Sequence, residues 1–331
     1  MKYFHGRRVL LIAPRFFGYE EEIAGEFRRR GAEVDFLPDR PFQSPFMKAV
    51  TRVRRELIIA FADRFFWNAL EGFGRKKYDL ILVVNGEVIS PRFLSALRST
   101  FPCASFVLYM WDSFKNRKSL IPNIMHFDKC STFDPDDANN YGIRFRPLFY
   151  ADGFKQSTKQ DFEYDISFVG TAHSDRYRIV AQVAANLPSS ARCYFYMYLQ
   201  APWVFWAHKF TNRAFKGASI ADFMFLPLIR SEVQRVFYGS RAVLDIEHPA
   251  QTGLTIRTFE TLGAEKKIIT TNQRVKEYDF FNPQNILVIN RNELGTIPRQ
   301  FLYEPFAPLS ESVNYKYSIQ GWVDEVIDLN A

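Results

Sequence analysis

A loop and helix between residues 240 and 272 carry the residue types best suited to bind an anion. The sequence predicts a strand at 242–246, a Pro-Gly loop, a helix, and a second strand at 267–271. The unpaired N–H groups and the dipole of a helix N-terminus attract negative charge. Gly253 lets the backbone approach closely, and Arg257 offers a bidentate guanidinium. The junction therefore predicts a phosphate-binding site.

Thr255 and Glu260 lie at the same junction. Glu260 follows Arg257 by three residues, so a helix places both side chains on one face. A carboxylate there is suited to accept hydrogen bonds from ribose hydroxyls. The alternative interpretation is that Arg257 and Glu260 form an exposed ion pair and that Gly253 only makes a turn.

The length and charge of the chain limit its class. A chain of 331 residues exceeds what one hydrophobic core usually serves, so two domains are expected. The net charge is +7, and the first 77 residues hold 16 Lys and Arg against 10 Asp and Glu. No zinc-finger, helix-turn-helix or basic heptad pattern accompanies this surplus, so nucleic acid is not expected as a partner. An anionic membrane surface, a phosphate-bearing ligand or a solvated helix face remain as explanations.

Cysteine spacing and hydropathy indicate a cytoplasmic protein. Cys103, Cys130 and Cys193 lie far apart, without CxxC spacing, so neither a zinc site nor a disulfide framework is expected. The N-terminal apolar run is too short for a signal peptide, and no run of 18 apolar residues occurs.

Strand-like and helix-like segments alternate along the whole chain, which predicts an α/β protein with parallel sheets. A polar stretch at 155–165 separates two such units. We therefore expect domains at 1–155 and 156–331, with the last helix able to pack back on the first domain. Loops after the carboxyl ends of the strands are the expected ligand sites.

Two amphipathic segments combine apolar stripes with flanking cations. The segment 201–217 places Trp203, Trp206 and Phe210 on one helical face, beside lysines and an arginine. The segment 45–57 has a similar pattern, with Phe46 in its stripe. Such helices suit a membrane surface, although packing on the protein's own core is the common alternative.

Four segments together resemble the GT-B glycosyltransferases, in particular bacterial capsule and lipopolysaccharide biosynthesis enzymes with a group-one C-terminal domain. They read SFVGTAHSDR, GLTIRTFETLG, KKIITTN and YSIQGWVDEVI. The resemblance implies two doubly wound Rossmann-like domains facing each other across a cleft. The N-terminal domain would bind the acceptor and the C-terminal domain the nucleotide sugar.

The resemblance also assigns roles to residues. Glu260 would hold the ribose of the nucleotide. The residues bordering the donor diphosphate would be Gly170, Thr171, Arg176, Gly253, Thr255 and Arg257. Retaining members often carry an acidic residue eight positions before this glutamate, where this chain has Thr252. That departure favours inversion of the sugar.

An inverting transfer needs a general base near the acceptor hydroxyl. Asp112, after the strand 105–110, is the first choice and Glu87 the second, whereas Asp112 capping a turn with Ser113 is the alternative. The sequence Asp134-Pro135-Asp136 matches the DxD pattern of metal-dependent transferases of another fold. We interpret it as turn and helix-cap chemistry, so no metal is expected.

The function implied by the resemblance is transfer of a sugar from a nucleotide-diphosphate donor, here UDP-linked. The acceptor would be a lipid-linked or polysaccharide precursor at the inner face of the cell membrane. The donor is a substrate, and no separate cofactor is expected. Two alternatives are a non-catalytic sugar- or nucleotide-binding module and a dinucleotide-dependent oxidoreductase. Against the second, neither domain's first strand is followed by GxGxxG.

Overall fold

The computed structural model describes residues 4–41, 55–74, 76–155, 161–249 and 251–328, with the backbone alone for residues 55–61. The strands in this part of the chain are β1 (Arg8–Ala13), β2 (Glu33–Pro38), β3 (Leu80–Val84), β4 (Ser105–Met110), β5 (Lys129–Thr132), β6 (Arg144–Phe145), β7 (Tyr164–Thr171), β8 (Cys193–Tyr198), β9 (Ser240–Asp245), β10 (Lys267–Thr270) and β11 (Ile286–Val288). The α-helices are α1 (Tyr19–Arg29), α2 (Arg55–Phe73), α3 (Pro91–Thr100), α4 (Pro135–Tyr141), α5 (Arg176–Ala185), α6 (Pro202–Thr211), α7 (Arg230–Tyr238), α8 (Ile256–Gly263), α9 (Arg299–Tyr303), α10 (Glu311–Tyr317) and α11 (Ile319–Val326). Short 3₁₀ helices lie at Lys118–His126, Asp152–Phe154, Arg213–Phe215, Ile220–Asp222 and Gln273–Glu277.

The chain divides into two units, each built on one parallel sheet. The first unit contains Met1–Pro147 and Ile319–Ala331, and the second contains Leu148–Ser318. The first sheet has the strand order β2-β1-β3-β4-β5-β6, and the second has the order β11-β10-β9-β7-β8. All the strand pairs are parallel. The α/β architecture predicted from the alternating pattern is confirmed.

The sequence explains the central strands and the helix starts. All five residues of β3 (LILVV) are buried, as expected for a parallel strand covered on both faces. Ser90 caps α3 by accepting a hydrogen bond from the backbone N–H of Phe93. Asp134 likewise caps α4 by accepting from the N–H groups of Asp136 and Asp137. The helix-cap interpretation of Asp134-Pro135-Asp136 is therefore confirmed.

Each sheet has one point where the strand order reverses. In the first sheet it lies between β1 and β3, and in the second between β7 and β9. At such a point two neighbouring loops leave in opposite directions, which opens a crevice at the carboxyl ends of the strands. The two strands at the reversal point of the second sheet precede the predicted diphosphate residues.

The unit boundary lies before the position expected from the polar stretch at 155–165. Residues after Pro147 already pack on the second unit: the rings of Phe154 and Phe237 are 5.8 Å apart, and the Tyr238 hydroxyl donates to the Gly153 carbonyl at 2.6 Å. The tertiary contacts of this segment set the boundary, and they are not visible in its composition.

The C-terminal helix α11 belongs to the first unit. Trp322 is fully buried and its ring meets that of Tyr109 on β4 edge to face at 4.8 Å. Arg30 forms an ion pair with Asp324 and donates to the Gln320 carbonyl at 2.8 Å. The second unit therefore ends before α11, and the chain returns to complete the first.

Most of the amphipathic segment predicted at 45–57 lies outside the described residues. Within the described part of the chain, no helix has the length and apolarity that a membrane crossing needs.

Trp322→Ala should destabilise the first unit, because it removes a large side chain from a fully buried position against Tyr109. We expect a loss of about 3–5 kcal/mol in the free energy of unfolding, measured by urea denaturation. Trp203→Ala is the matched control, because Trp203 is 69% exposed, and its effect should stay within about 0.5 kcal/mol. Equal effects of the two substitutions would contradict the packing of α11.

Candidate functional site

Two arginines meet at the carboxyl end of β7 in the second unit. A Cβ atom placed on Gly170 would lie 3.2 Å from Nη2 of Arg257 and 3.5 Å from Nη1 of Arg176. It would also lie 3.1 Å from the Phe168 ring. Glycine at this position therefore lets both guanidinium groups approach the end of the strand. Three of the predicted diphosphate residues come together here.

Arg176 is held by backbone carbonyls from both strands at the reversal point. Its Nε donates to the Ile246 carbonyl at 2.8 Å, and its Nη1 donates to the Thr171 carbonyl at 3.1 Å. The pKa of Arg176 is lowered to about 9, mainly by burial and also by the positive charge of Arg257. The carboxylates of Asp245 and Glu247 oppose this shift. The side chain remains protonated at neutral pH and is fixed in place.

Arg257 lies in the first turn of α8, and its side chain is 15% exposed. Its Nη1 is 3.9 Å from Oδ1 of Asp245, and its guanidinium lies over the Phe168 ring at 5.5 Å. Its Nε is buried and has no hydrogen-bond partner among the residues that the structure describes. A buried donor without a partner is costly, and an anionic ligand would supply the missing acceptor.

The N-terminus of α8 has no side-chain cap. Thr255 occupies the cap position, but its hydroxyl donates to Asp245 at 2.7 Å and caps no helix N–H group. Thr258 also donates to Asp245, at 2.5 Å. Asp245 thus fixes the start of α8 from the end of β9. The positive pole of the helix stays available to an anion.

Glu260 lies one turn farther along α8 and is 8% exposed. The Arg257 side chain is also largely buried, so neither residue is exposed, as the alternative interpretation of an exposed ion pair required. Gly253 is buried as well, and its carbonyl accepts from the Asn272 side chain at 3.4 Å. The loop before α8 is therefore fastened to the end of β10.

Two histidines lie in the loops that follow β7 and β9. The rings of His173 and His248 are 5.4 Å apart. Burial lowers the pKa of His173 to about 3, and the positive charges of Arg176, His248, Arg257 and His208 add to the effect. His173 is neutral at physiological pH, so it offers a hydrogen bond to a ligand but no fixed charge.

A second arginine network connects three strand-end loops of the same unit, and sequence reasoning missed it. Arg291, after β11, donates to Asp175 at 2.6 Å and to the Glu247 carbonyl at 2.9 Å. It also pairs with the Glu247 carboxylate, to which Thr271 donates. The only sequence signal was that Glu247 and Thr271 lie at the ends of the strands predicted at 242–246 and 267–271.

In the first unit, carboxylates and arginines alternate along the strand ends. Asp112 accepts from Nε of Arg117 at 3.0 Å and from the Ser113 N–H at 3.0 Å. Glu87 pairs with Arg117 at 2.8 Å and with Arg40 at 2.6 Å. The structure thus joins the two predicted base candidates through one arginine. The turn contact between Asp112 and Ser113 is present too.

Asp39 ends this chain of charges and was also missed from the sequence. It is fully buried at the end of β2, and its Oδ2 accepts from the Glu87 N–H at 3.1 Å. Its Oδ1 has no hydrogen-bond partner within the described part of the chain and lies 3.8 Å from Nε of Arg40. Burial raises the pKa of Asp39 to about 7, and the positive charge of Arg40 opposes this shift. Asp39 positions the loop that carries Glu87.

The second unit therefore presents two fixed cations, one orphaned donor and a helix N-terminus at a single strand end, which suits a multiply charged anion such as a diphosphate. The described residues include no group of three or more His, Cys, Asp or Glu placed to hold a metal ion.

At the level of sequence, no family model matches the chain, and no curated protein matches it. Solved structures do resemble it. An apo lipopolysaccharide outer core galactosyltransferase, WaaB, is 11% identical, with a TM-score of 0.52, 98% of this chain covered and 100% of that chain. A glycosyltransferase from Rickettsia africae is 12% identical, with a TM-score of 0.53 and coverages of 98% and 99%. HepE from Anabaena, in complex with UDP and glucose, is 12% identical, with a TM-score of 0.51 and coverages of 98% and 97%.

These likenesses extend over almost the whole of each chain. The chain has the GT-B fold of glycosyltransferases.

Proposed function

We propose that this protein is a glycosyltransferase that takes a sugar from a nucleotide-diphosphate donor, UDP-linked, and transfers it to a lipid-linked or polysaccharide acceptor. The second unit binds the donor through the strand ends of β7 and β9. The proposed pathway is the synthesis of a bacterial surface polysaccharide such as capsule or lipopolysaccharide.

The observation that carries the proposal is the convergence of Arg176 and Arg257 on Gly170. Two cations so close together repel each other, and Arg257 keeps a buried donor without a partner. A diphosphate relieves both costs, because it places acceptor oxygens and negative charge between them. Arg176, Arg257 and the α8 dipole thus take the role in our proposal that a metal ion has in other transferases.

Two similar structures support the choice of donor. HepE was solved with UDP and glucose, and WaaB is a lipopolysaccharide galactosyltransferase.

We propose that the transfer inverts the sugar. The loop between β9 and α8 contains a single carboxylate, Glu247, which is paired with Arg291. At the position of the acidic residue frequent in retaining members the chain has Thr252. Both observations leave the loop without a carboxylate directed to a donor sugar, and this supports a base outside the loop.

We propose Asp112 as that base and Glu87 as a residue that positions it. Both carboxylate oxygens of Glu87 are paired with arginines, and the residue is 7% exposed. The side chain of Asp112 is 20% exposed; its Oδ2 pairs with Arg117, and its Oδ1 accepts from the Ser113 N–H and the Asn116 side chain. Arg117 connects the two carboxylates, so Glu87 holds the arginine that orients Asp112.

We place the protein in the cytoplasm, at the inner face of the membrane. The free thiols of Cys103, Cys130 and Cys193 suit a reducing compartment. A lipid-linked acceptor would bring the enzyme to the membrane surface.

Arg257→Gln should weaken UDP binding, because it removes a charged hydrogen-bond donor at the end of β7. A charged hydrogen bond contributes about 1.5–3 kcal/mol, which is roughly a tenfold to hundredfold rise in Kd by calorimetry. Release of UDP from a UDP-sugar in the presence of a lipid-linked acceptor should fall in parallel. The control is Arg241→Gln, because Arg241 pairs with Asp165 at the amino end of β9. Equal loss in both variants, or full activity in Arg257→Gln, would remove Arg257 from the donor site.

Glu260→Ala should weaken UDP binding roughly tenfold or more, because the carboxylate accepts from the ribose hydroxyls. Inorganic pyrophosphate lacks the ribose, so its Kd should not change. The wild-type protein should also prefer UDP over 2′,3′-dideoxyuridine diphosphate, and Glu260→Ala should lose this preference. If Glu260→Ala weakens the binding of pyrophosphate and of UDP equally, Glu260 stabilises the fold of α8 and does not bind the ribose.

Asp112→Asn should lower kcat by roughly 10²–10⁴-fold with no change in the Kd for UDP, because general base catalysis contributes on that scale. Glu87→Gln should lower kcat less, since the base remains. Asp136→Asn is the control, because this residue lies in the first turn of α4, after β5, with its carboxylate 3.4 Å from Nζ of Lys115. Wild-type turnover in Asp112→Asn would exclude it as the base. UDP binding without turnover of any nucleotide sugar would instead indicate a binding module.

A further inference from the structure

The helix α6 of the second unit turns its aromatic stripe outward. Trp203 is 69% exposed, Trp206 is 50% exposed and Phe210 is 82% exposed. Their spacing of three and four residues places them on one face, and the rings of Trp206 and Phe210 stack at 6.3 Å. The opposite face carries Phe205, which is buried against Phe223. The stripe predicted from the sequence therefore does not pack on the described part of this protein.

The segment after α6 also exposes large apolar side chains. Its backbone pairs with the end of β8, since the N–H of Met224 donates to the Met197 carbonyl at 2.9 Å. Met224, Leu226 and Ile229 on this segment are 45%, 77% and 64% exposed. Large apolar side chains exposed together in this way mark an interaction surface.

The charged residues around α6 indicate which kind of partner this surface can bind. Residues 176–221 contain no Asp or Glu, and their cations are Arg176, Arg178, Arg192, Lys209, Arg213 and Lys216. Arg213 and Lys216 are exposed and directly follow α6. Lys209 is part-buried and donates to the Ala218 carbonyl, so it is less available. Asp222 follows this stretch, and its carboxylate accepts from the Tyr177 hydroxyl at 2.9 Å and from the Ser219 N–H at 2.8 Å. The exposed charges that directly follow α6, those of Arg213 and Lys216, are therefore cationic.

We propose that the outward face of α6, formed by Trp203, Trp206 and Phe210 with the cations Arg213 and Lys216, docks on the surface of an anionic lipid bilayer. The aromatic rings enter the headgroup region, where tryptophan is favoured, and the cations contact lipid phosphates. This role goes beyond the donor chemistry, because none of these residues belongs to the diphosphate site.

A second copy of the chain fits this surface less well. A symmetric contact would place the exposed cations of two copies against each other, with no carboxylate in residues 176–221 to balance them. A lipid surface supplies both the negative charge and an apolar layer for the rings. The aromatic rings and the cations both find a suitable partner in the lipid surface, and not in a second copy of the chain.

The test is flotation of the full chain with vesicles of phosphatidylcholine alone or with added phosphatidylglycerol. The wild-type protein should bind the anionic vesicles and be released by salt. Trp203→Ser with Trp206→Ser, and separately Arg213→Glu with Lys216→Glu, should each lower the partition coefficient roughly tenfold or more. Vesicles that carry brominated lipid should quench the wild-type fluorescence, and this quenching should be lost when both tryptophans are replaced.

Two control variants carry matched changes outside this surface. Met125→Ser replaces an apolar side chain that is 83% exposed in the first unit. Lys118→Glu with Lys276→Glu changes the net charge as much as the Arg213 and Lys216 pair does, at exposed positions. Both controls should float as the wild type does.

UDP affinity separates this proposal from the donor site. Asn212, at the end of α6, donates to the Ser174 carbonyl in the loop before Arg176 at 2.7 Å, so the UDP Kd also reports whether the variants keep their fold. An unchanged Kd with lost flotation supports the proposal and does not depend on transferase activity. No binding by the wild type, equal binding by all variants, or conversion of a dimer to a monomer in light scattering would overturn it.

Discussion

The second unit depends on holding two positive charges close together at the end of a strand. Arg176 and Arg257 share the space above Gly170, and the structure offsets their repulsion with Asp245 and Glu247, which raise the pKa of Arg176 against the effect of burial. Asp245 acts twice, because the two threonines that donate to it also fix the start of α8. This arrangement depends on the strand order, because β7 and β9 are neighbours at the point where the order of the strands reverses. The strand order, the position of α8 and the placement of the two arginine charges therefore depend on one another.

The first unit uses charge in the opposite way. Its strand ends carry Asp39, Arg40, Glu87, Arg117 and Asp112, in which each arginine lies between two carboxylates. Most of the hydrogen-bonding capacity of these groups is used within the network, which holds side chains in fixed orientations. One unit thus keeps a cationic site open to a ligand, and the other keeps carboxylates in defined positions. This difference is consistent with donor binding in the second unit and proton transfer in the first.

The sequence was sufficient where local patterns decide the structure. Buried strands such as β3, the caps at Ser90 and Asp134, and the loop-helix junction at Arg257 follow from residue type and spacing within a few positions. It was not sufficient where residues distant in the chain meet. The contacts of Arg291 with Asp175 and Glu247 join three loops, and Trp322 packs on a strand more than two hundred residues earlier in the chain. Neither contact has a signal in local spacing, because packing selects the partners.

The orientation of α6 is a further case in which a local pattern is not sufficient and tertiary packing decides. Periodicity groups Trp203, Trp206 and Phe210 on one face, but it does not determine whether that face meets a core or solvent. The deciding residue is Phe205, between the two tryptophans. It is buried against Phe223, so α6 packs through its other face, and the stripe must point outward. Burying an aromatic ring is favourable, and three exposed rings followed by two exposed cations indicate a partner that supplies both an apolar layer and negative charge. The burial of Phe205 therefore decides which face of α6 is exposed, and the amphipathic pattern alone did not. Asn212, directly after α6, donates to the Ser174 carbonyl, so a bilayer bound to α6 would be connected to the loop that leads to Arg176.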